Sequence, residues 1–567
     1  MRRGVRMIVS LLLAAACLVS CGGGKQPEGP GTYNPTEGES MTVNDPANEN
    51  VDPKLLYNGI ELPESWPPQN VSLVYAEPID VPYLRDIDQG GTHPEVVNIN
   101  VGRQLFVDQF LIDSTTLTST SHKAVPYEGN PVYSPEGNNA WGVHLKHGGL
   151  YYDNERSVFQ LWFTVDGYLC YSESGDGIQW SDYEKLYKVS GYATVVRNPK
   201  PANENQNYIM LVRPSNGTYE GMELYKGRDH NTFPYVIYTS PDGKKWTKAA
   251  VGGQCNDATS MFYNPFREKW VVSIRKSYTQ LKRVREYFET DDIVSHAIES
   301  DLYGVFWLRA DGLDIKDPVI KMNPQFYSVS CVAYESIMLA GIQVMLGPEN
   351  SEAEKTGIPK VTDIHLAYSR DGFYYSRPSR EPIIASSQEV GAWDRGYLHQ
   401  VNTLCVVNGD ELWFYYSGYE GDESRGGDEK ANSGTLDYCR IGMAKMRRDG
   451  FVSLDGSGEV LTRKMTCTRG QQYLFVNAKA SSLRAEILDE NGNVIPGYGM
   501  NDCVAFSGDS TCAMLTWNGG KTIAGLSGRT FSIRFSVENG EFYSFWVSAT
   551  EDGDSNGYYA GGLVNAN

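Results

Sequence analysis

The feature that most constrains this chain is a short phrase that returns along it. Tyr171-Ser-Glu-Ser-Gly-Asp176-Gly177-Ile-Gln-Trp180, Tyr238-Thr-Ser-Pro-Asp242-Gly243-Lys-Lys-Trp246 and Tyr368-Ser-Arg-Asp371-Gly372-Phe-Tyr-Tyr375 share one plan. Each is a short alternating strand, then Ser-x-Asp-Gly or close to it, then an aromatic residue three after the glycine. Asp-Gly between alternating runs predicts a tight hairpin, of the type I′ kind in which both central residues take positive φ. Weaker copies at Asp311-Gly312 and Asp449-Gly450 bring the series to five, about 60–80 residues apart.

Several strands fall within each unit. Gly149 to Asp153, Phe159 to Phe163 and Tyr168 to Tyr171 precede the first turn. About four strands per unit and five units predict an all-β fold, a five-bladed β-propeller. A β-sandwich array with incidental Asp-Gly turns is the alternative. The 37 Tyr, 19 Phe and 11 Trp favour β structure over helix. After Asp455 the texture changes. Tyr473 to Asn477, Leu483 to Leu488, Phe531 to Val537 and Phe542 to Val547 read as strands, with turns at Asn491-Gly492 and Asn539-Gly540. This stretch is expected to be a C-terminal β-sandwich. The expected boundaries are 1–20 for a leader, 21–54 for a flexible tether, 55–455 for the propeller with an N-terminal extension, and 456–567 for the sandwich.

The leader is an address. Arg2, Arg3 and Arg6 precede an apolar run from Met7 to Ala16, too short to span a bilayer. Leu18-Val19-Ser20-Cys21 resembles the bacterial lipoprotein box, in which the cysteine is lipid-modified after cleavage before it. The expectation is a lipid anchor at Cys21 in the cell envelope, at the outer membrane of a Gram-negative bacterium. An ordinary signal peptide is the alternative. Residues 22–52 are poor in apolar side chains and suit a tether. The eight later cysteines are scattered, without a CxxC or a metal spacing with His. Neither metal nor cofactor is expected, and Cys503 and Cys512 are the one pair worth testing for a disulfide. A net charge of −20 makes the chain a poor partner for nucleic acid.

Gly102-Arg-Gln-Leu-Phe-Val-Asp108-Gln109-Phe-Leu-Ile112 resembles the opening of bacterial secreted proteins similar to glycoside hydrolase families 32 and 43, the five-bladed-propeller glycosidases. Asn58 to Pro63, Trp66-Pro-Pro68, Ser260 to Pro265, Leu366 to Gly372 and Trp393 to Gly396 add to the resemblance. One departure is Gln109, where the pattern often has a second acid. The resemblance implies a glycoside hydrolase acting on a poly- or oligosaccharide, with carboxylates at the starts of the innermost strands. One acid protonates the leaving oxygen and a second carboxylate serves as base or nucleophile.

On that basis Asp257, Glu335 and Asp394 are the expected catalytic carboxylates, converging on the axis. Each has a plainer reading: a turn cap for Asp257, a hairpin tip for Glu335, a surface loop pair with Arg395 for Asp394. Asp108, Trp141, Arg275, Trp393 and His399 are the expected substrate contacts. Arg275 could bind a uronate or sugar hydroxyls, or form a structural ion pair. Asp108 could instead be a structural hydrogen-bond partner. The rival functions are a catalytically silent glycan-binding lipoprotein and a protein-binding platform. Two axial carboxylates favour the enzyme, and one favours the binder.

Overall fold

A computed structural model describes residues 54–134, 144–189, 191–214, 233–356, 358–420, 439–468 and 470–564. The expected leader, Cys21, the tether and Trp141 lie outside these residues.

Four-stranded antiparallel meanders follow one another along the chain. Blade 1 is His144–Asp153, Val158–Val165, Tyr168–Ser174 and Glu184–Lys188. Blade 2 is Gly191–Arg197, Tyr208–Pro214, Phe233–Ser240 and Thr247–Cys255. Blade 3 is Ser260–Asn264, Lys269–Tyr278, Lys282–Thr290 and Val305–Leu308. Blade 4 has Gln325–Glu335, Ile337–Gly347 and Val361–Ser369, with Ser376 bridging Tyr368 in the fourth position. Blade 5 has His399–Asn408, Glu411–Tyr419 and Cys439–Arg447. Its fourth strand comes from upstream of blade 1. Val125–Pro126 pairs with Lys445 and Ala444, and Tyr133 bridges Ile441. The first strand of each blade is innermost. His147 of blade 1 pairs in parallel with Ala193 of blade 2 and with Val401 of blade 5, so the ring closes on five blades.

The recurring phrase does one job at equivalent places. In blades 1, 2 and 4 it follows the third strand. Ser174, Ser240 and Ser369 accept the glycine N–H of Gly177, Gly243 and Gly372 at 2.8–2.9 Å. Oδ1 of Asp176, Asp242 and Asp371 accepts the two amides that follow the glycine, all at 2.7–2.9 Å. Only the glycines take positive φ, at 72–84°. These are therefore Asx-type turns held by Ser and Asp side chains rather than type I′ turns. The missing side chain lets the turn dock on the preceding blade. Trp162 Nε1 of blade 1 donates to Gly243 O at 2.7 Å, and Tyr415 of blade 5 donates to Gly177 O at 2.7 Å.

Asp311 is not a copy of this turn, because it follows the fourth strand of blade 3. The true copy there is Thr290-Asp291-Asp292-Ile293. Thr290 Oγ1 accepts the Asp292 amide, and Asp292 Oδ1 accepts the amides of Val294 and Ser295. It lacks the glycine and opens the short helix Ile293–His296 instead. Asp449 does follow the third strand of blade 5, but faces the second domain.

That domain is a nine-stranded sheet bent around one core. It combines Val97–Asn98, Gln104–Leu105, Ile112–Thr115 and Thr118–Ser121 with Val452–Thr462, Met465–Thr466, Tyr473–Asp489, Phe506–Leu515 and Thr530–Ser548. The hairpin expected at Asn539-Gly540 is absent. Thr530–Ser548 runs as one strand, paired along its length with Tyr473–Asp489. Asn539, at φ 46°, sits at an irregularity opposite Gly456 to Gly458. Such bulges bend a strand without ending it, so Phe535 and Phe542 on either side enter the same core. Tyr473 to Asn477 and Leu483 to Leu488 are likewise parts of a single strand.

The two domains are not consecutive in sequence. Residues 54–121 pack largely with the C-terminal sheet. The last strands return to the ring, Tyr558–Tyr559 on blade 4 and Leu563–Val564 on blade 5. All eight described cysteines are free, Cys503 and Cys512 included. No described helix is long and apolar enough to cross a membrane.

Candidate active site at the propeller axis

The starts of the innermost strands gather at one end of the ring. Among the described residues, blades 2 to 5 bring side chains there from their first residues or the loop before them. Blade 3 contributes Asp257, which lies between Cys255 and Ser260. Its Oδ1 accepts from Arg275 Nη1, and its Oδ2 accepts from the Tyr327 hydroxyl at 2.9 Å. Burial pushes the Asp257 carboxyl up. Arg275, the Tyr327 hydrogen bond, Arg213 and Lys360 together outweigh it and hold the group below its ordinary value. Asp257 is therefore ionised at neutral pH.

Tyrosines surround it. Tyr327 opens the innermost strand of blade 4, and Tyr397 lies just before that of blade 5, their rings 5.8 Å apart. Tyr419 meets Tyr397 at 5.3 Å, and Tyr192 of blade 2 lies close enough to act on both by charge. Burial drives the Tyr327 and Tyr397 hydroxyls far above their ordinary range, so both stay protonated donors. Cations frame the same ring. Arg275, Arg283 and Lys360 lie 5.5, 5.2 and 4.6 Å from the Tyr327 centroid. Arg283 grips Glu349 through two nitrogens at 2.7 and 2.8 Å. Deeper along the axis, His147 and His399 meet edge to face at 4.8 Å, both fully buried.

The expected catalytic set is brought together only in part. Glu335 is corrected outright. It ends the strand that Tyr327 begins, so eight extended residues place it about 25 Å from the Asp257 end. There it is fully buried, accepting from the Arg103 amide at 3.1 Å, Arg448 at 3.0 Å and Ser555 at 2.7 Å. Arg103 reaches on to Asp449 at 3.0 Å, which also accepts from Tyr334 and Ser544. Glu335 is a rivet between blade 4 and the second domain. Gly102, beside Arg103 in the segment that carries the family resemblance, lies against the Glu335 backbone with no room for a Cβ.

Asp394 lies at the correct end but off the axis. Trp393 and Asp394 lie on Gly418 and Gly442 of blade 5, with the carboxyl beside Ser387 and Tyr416. Burial raises its pKa. Asp394 and Asp257 share no hydrogen-bond partner among the described residues.

Of the expected substrate contacts, Arg275 faces the axis, engaged with Asp257. His399 is fully buried against His147 rather than at the surface. Trp393 packs against Tyr416 at 5.4 Å on the rim. Asp108 is corrected to a structural role. It is buried, caps the turn at Phe110, and binds Arg370 at 3.0–3.3 Å far from the mouth. Tyr192, Arg213, Arg283, Tyr327, Lys360 and Tyr397 were not anticipated. Position would have found three of them, since Tyr192, Tyr327 and Tyr397 lie within two residues of the start of an innermost strand.

No family model matches the chain, and no curated protein matches it. Solved structures give distant likenesses. An N-acetylgalactosamine deacetylase from F. plautii, in complex with blood group B trisaccharide, is 13% identical over 58% of this chain and 96% of its own, at a TM-score of 0.39. A glycosyl hydrolase from Bacteroides ovatus is 12% identical over 61% of this chain and 96% of its own, at 0.36. A family 43 arabinoxylan arabinofuranohydrolase from Bacillus subtilis is 10% identical over 75% and 99%, at 0.30. At these values the five-bladed ring rests on its own strand pairing, and function on the chemistry at its axis.

Proposed function

We propose that this protein is a glycoside hydrolase working at the mouth of the propeller axis, with Asp257 as the ionised carboxylate. The observation that carries the reading is the setting of Asp257: a carboxylate kept charged by Arg275, at the axis, among tyrosine rings and hydroxyls suited to a sugar. Hydrolysis also needs a carboxyl that carries a proton near neutral pH. Asp394, the other carboxyl at that end, is the proposed proton donor on its position; burial moves its pKa upward, the direction such a role needs, and Glu335 has no part in it.

The test is release of reducing sugar from a glycan panel by the full chain, with Asp257→Asn and Asp394→Asn beside it. Loss of about 10²-fold or more in kcat for both variants, with unchanged melting, is expected. Full activity in Asp257→Asn would overturn the assignment. The glycan-binding reading is favoured by one observation, that both Asp257 oxygens are already engaged. Binding without turnover by the wild type would select it.

We also propose that the body is tethered to the cell envelope through Cys21, on the strength of the lipoprotein-box resemblance. Palmitate labelling that survives Cys21→Ala would refute the anchor.

A further inference from the structure

We propose, resting on the Cys21 anchor, that the outer edge of blade 3 lies on the lipid surface to which the tether leads. The starting observation is where the chain leaves its apolar side chains uncovered. Among the described residues, eight of the fourteen large apolar side chains that stay exposed belong to one edge of the molecule. Val305–Leu308 is the outermost strand of blade 3 and the last in its sheet. Just before it, the helical turns Ala297–Glu299 and Ser300–Tyr303 expose Ile298, Leu302 and Tyr303. Just after it, the loop beyond Leu308 exposes Leu313, Ile315 and Val319. Leu302 is 76% exposed and Val319 72%, so these side chains stand clear of the body.

The remaining two, Leu73 and Val74, come from the N-terminal extension, which is stapled to the same edge. Arg309 donates to Ser72 O at 2.8 Å and to Glu77 O at 2.9 Å, and Gly312 lies against Ala76 with no room for a Cβ. Four strand residues span about 13 Å. The first two groups therefore stand at either end of one short strand, with the extension beside the second. Single exposed apolar residues are ordinary, but a concentration along one edge marks an interaction surface.

The start of the described chain points to the occupant. Tyr57 stacks on Phe266 at 4.2 Å, in the turn between the first two strands of blade 3, and Val71 and Tyr75 pack on the core shared by blades 3 and 4. The chain that comes from Cys21 thus joins the body at blade 3. Residues 22–53 reach at most about 110 Å when fully extended, so a lipid group on Cys21 keeps that blade close to the bilayer. Those residues hold Tyr33, Met41, Val43 and Val51 as their large apolar side chains, too few to cover the stripe. A net charge of −20 gives no general attraction to anionic headgroups, so the contact is apolar. The outer edge of a ring is convex, and a fluid headgroup layer moulds to a convex apolar stripe without a matching groove. With that edge on the bilayer the propeller axis runs along the membrane plane, and the mouth opens sideways onto glycan lying near the surface.

The test uses the full lipidated chain, purified from membranes and reconstituted on phosphatidylcholine vesicles with brominated acyl chains. Cys512, the exposed cysteine among those described, is removed by Cys512→Ser. A small fluorophore is then placed at Leu302→Cys, at Leu313→Cys or, on the second domain, at Val494→Cys. The bromines should quench the labels at Leu302→Cys and Leu313→Cys and spare that at Val494→Cys, because apolar side chains of a surface-bound segment sit about 5–10 Å into the headgroup and acyl boundary. Adding Tyr303→Gln and Val319→Gln should abolish this quenching while the chain stays on the vesicles and its melting is unchanged. Equal quenching at all three sites, or none while the chain floats with the vesicles, would overturn the docking and leave the anchor standing. A dimer in solution that the same two substitutions dissolve would give the stripe to a second copy and overturn it as well. Quenching at Leu302→Cys and Leu313→Cys in a chain that takes up no palmitate would keep the docking and refute the anchor. Neither flotation nor quenching would refute both.

Discussion

Tyr327 donates its hydroxyl hydrogen to Asp257 at 2.9 Å, joining the loop ahead of blade 3 to the innermost strand of blade 4. A hydrogen bond to the charged form favours that form. Tyr327→Phe should therefore raise the Asp257 pKa and move the acid limb of the pH–kcat/KM profile up by about one unit. The neutral limb should stay where it is. If the protein only binds glycan, the same shift should be seen in the pH dependence of affinity.

Glu335 separates a structural carboxylate from a catalytic one. Glu335→Gln leaves two buried arginines, Arg103 and Arg448, with Asp449 as their one remaining buried counter-charge among the described residues, and should cost about 3 kcal/mol by denaturant unfolding. Under conditions where the variant is folded, its kcat should match the wild type. Asp257→Asn should behave in the opposite way, with melting unchanged and a large activity loss.

Asp449 gives the interface an acid-sensitive term. Burial pushes it up, but Arg103, Arg448, Ser544 and Tyr334 prevail and bring it down to about 2. Its folded pKa lies below its unfolded value, so its contribution is present above about pH 4 and is lost as pH falls toward 2. The span corresponds to about 2 kcal/mol. Acid unfolding compared between wild type and Asp449→Asn should show that the wild type's advantage disappears over this window.

Asp371 works in the other direction. Burial raises it to about 6, despite the amides of Phe373 and Tyr374 that favour its charged form. Its folded pKa exceeds its unfolded one, so the associated stability is complete below about pH 4 and is lost as pH rises through 6, by about 3 kcal/mol. Asp371→Asn keeps an acceptor for the turn and does not titrate. Its stability relative to wild type should climb between about pH 4 and 6 and then level off.

The ring was legible because its punctuation is local chemistry. Ser174, Asp176 and Gly177 satisfy one another's backbone within four residues, and so leave a mark in sequence. Blade 3 hid its copy because Asp292 caps a helix rather than a glycine turn, and Asp311 stood in for it by spacing alone. The bent strand Thr530–Ser548 was misread for a similar reason. Asn539-Gly540 signals a hairpin locally, and only the long partner Tyr473–Asp489 turns it into a bulge. Asp257 could be singled out because the loop before an innermost strand is a short sequence feature. Glu335 failed because the direction of its strand, and hence which end of the axis it reaches, is fixed by ring closure across some 400 residues.

The borrowed strand and the shared sheet also set an order for assembly. Residues 97–121 hydrogen-bond to strands that begin only at 452 and end at 548. Blade 5 is not edged until Val125–Pro126 meets Cys439–Arg447. During synthesis at about 5–20 residues per second, the early strands wait on the order of 20–80 s for their partners. Through that interval they are open edges, able to pair with the wrong chain. Cutting the gene near codon 455 would make the interval permanent in both fragments. Splitting the protein is then a way to make it aggregate, and co-expressing the two halves is the way to see whether they can still find each other.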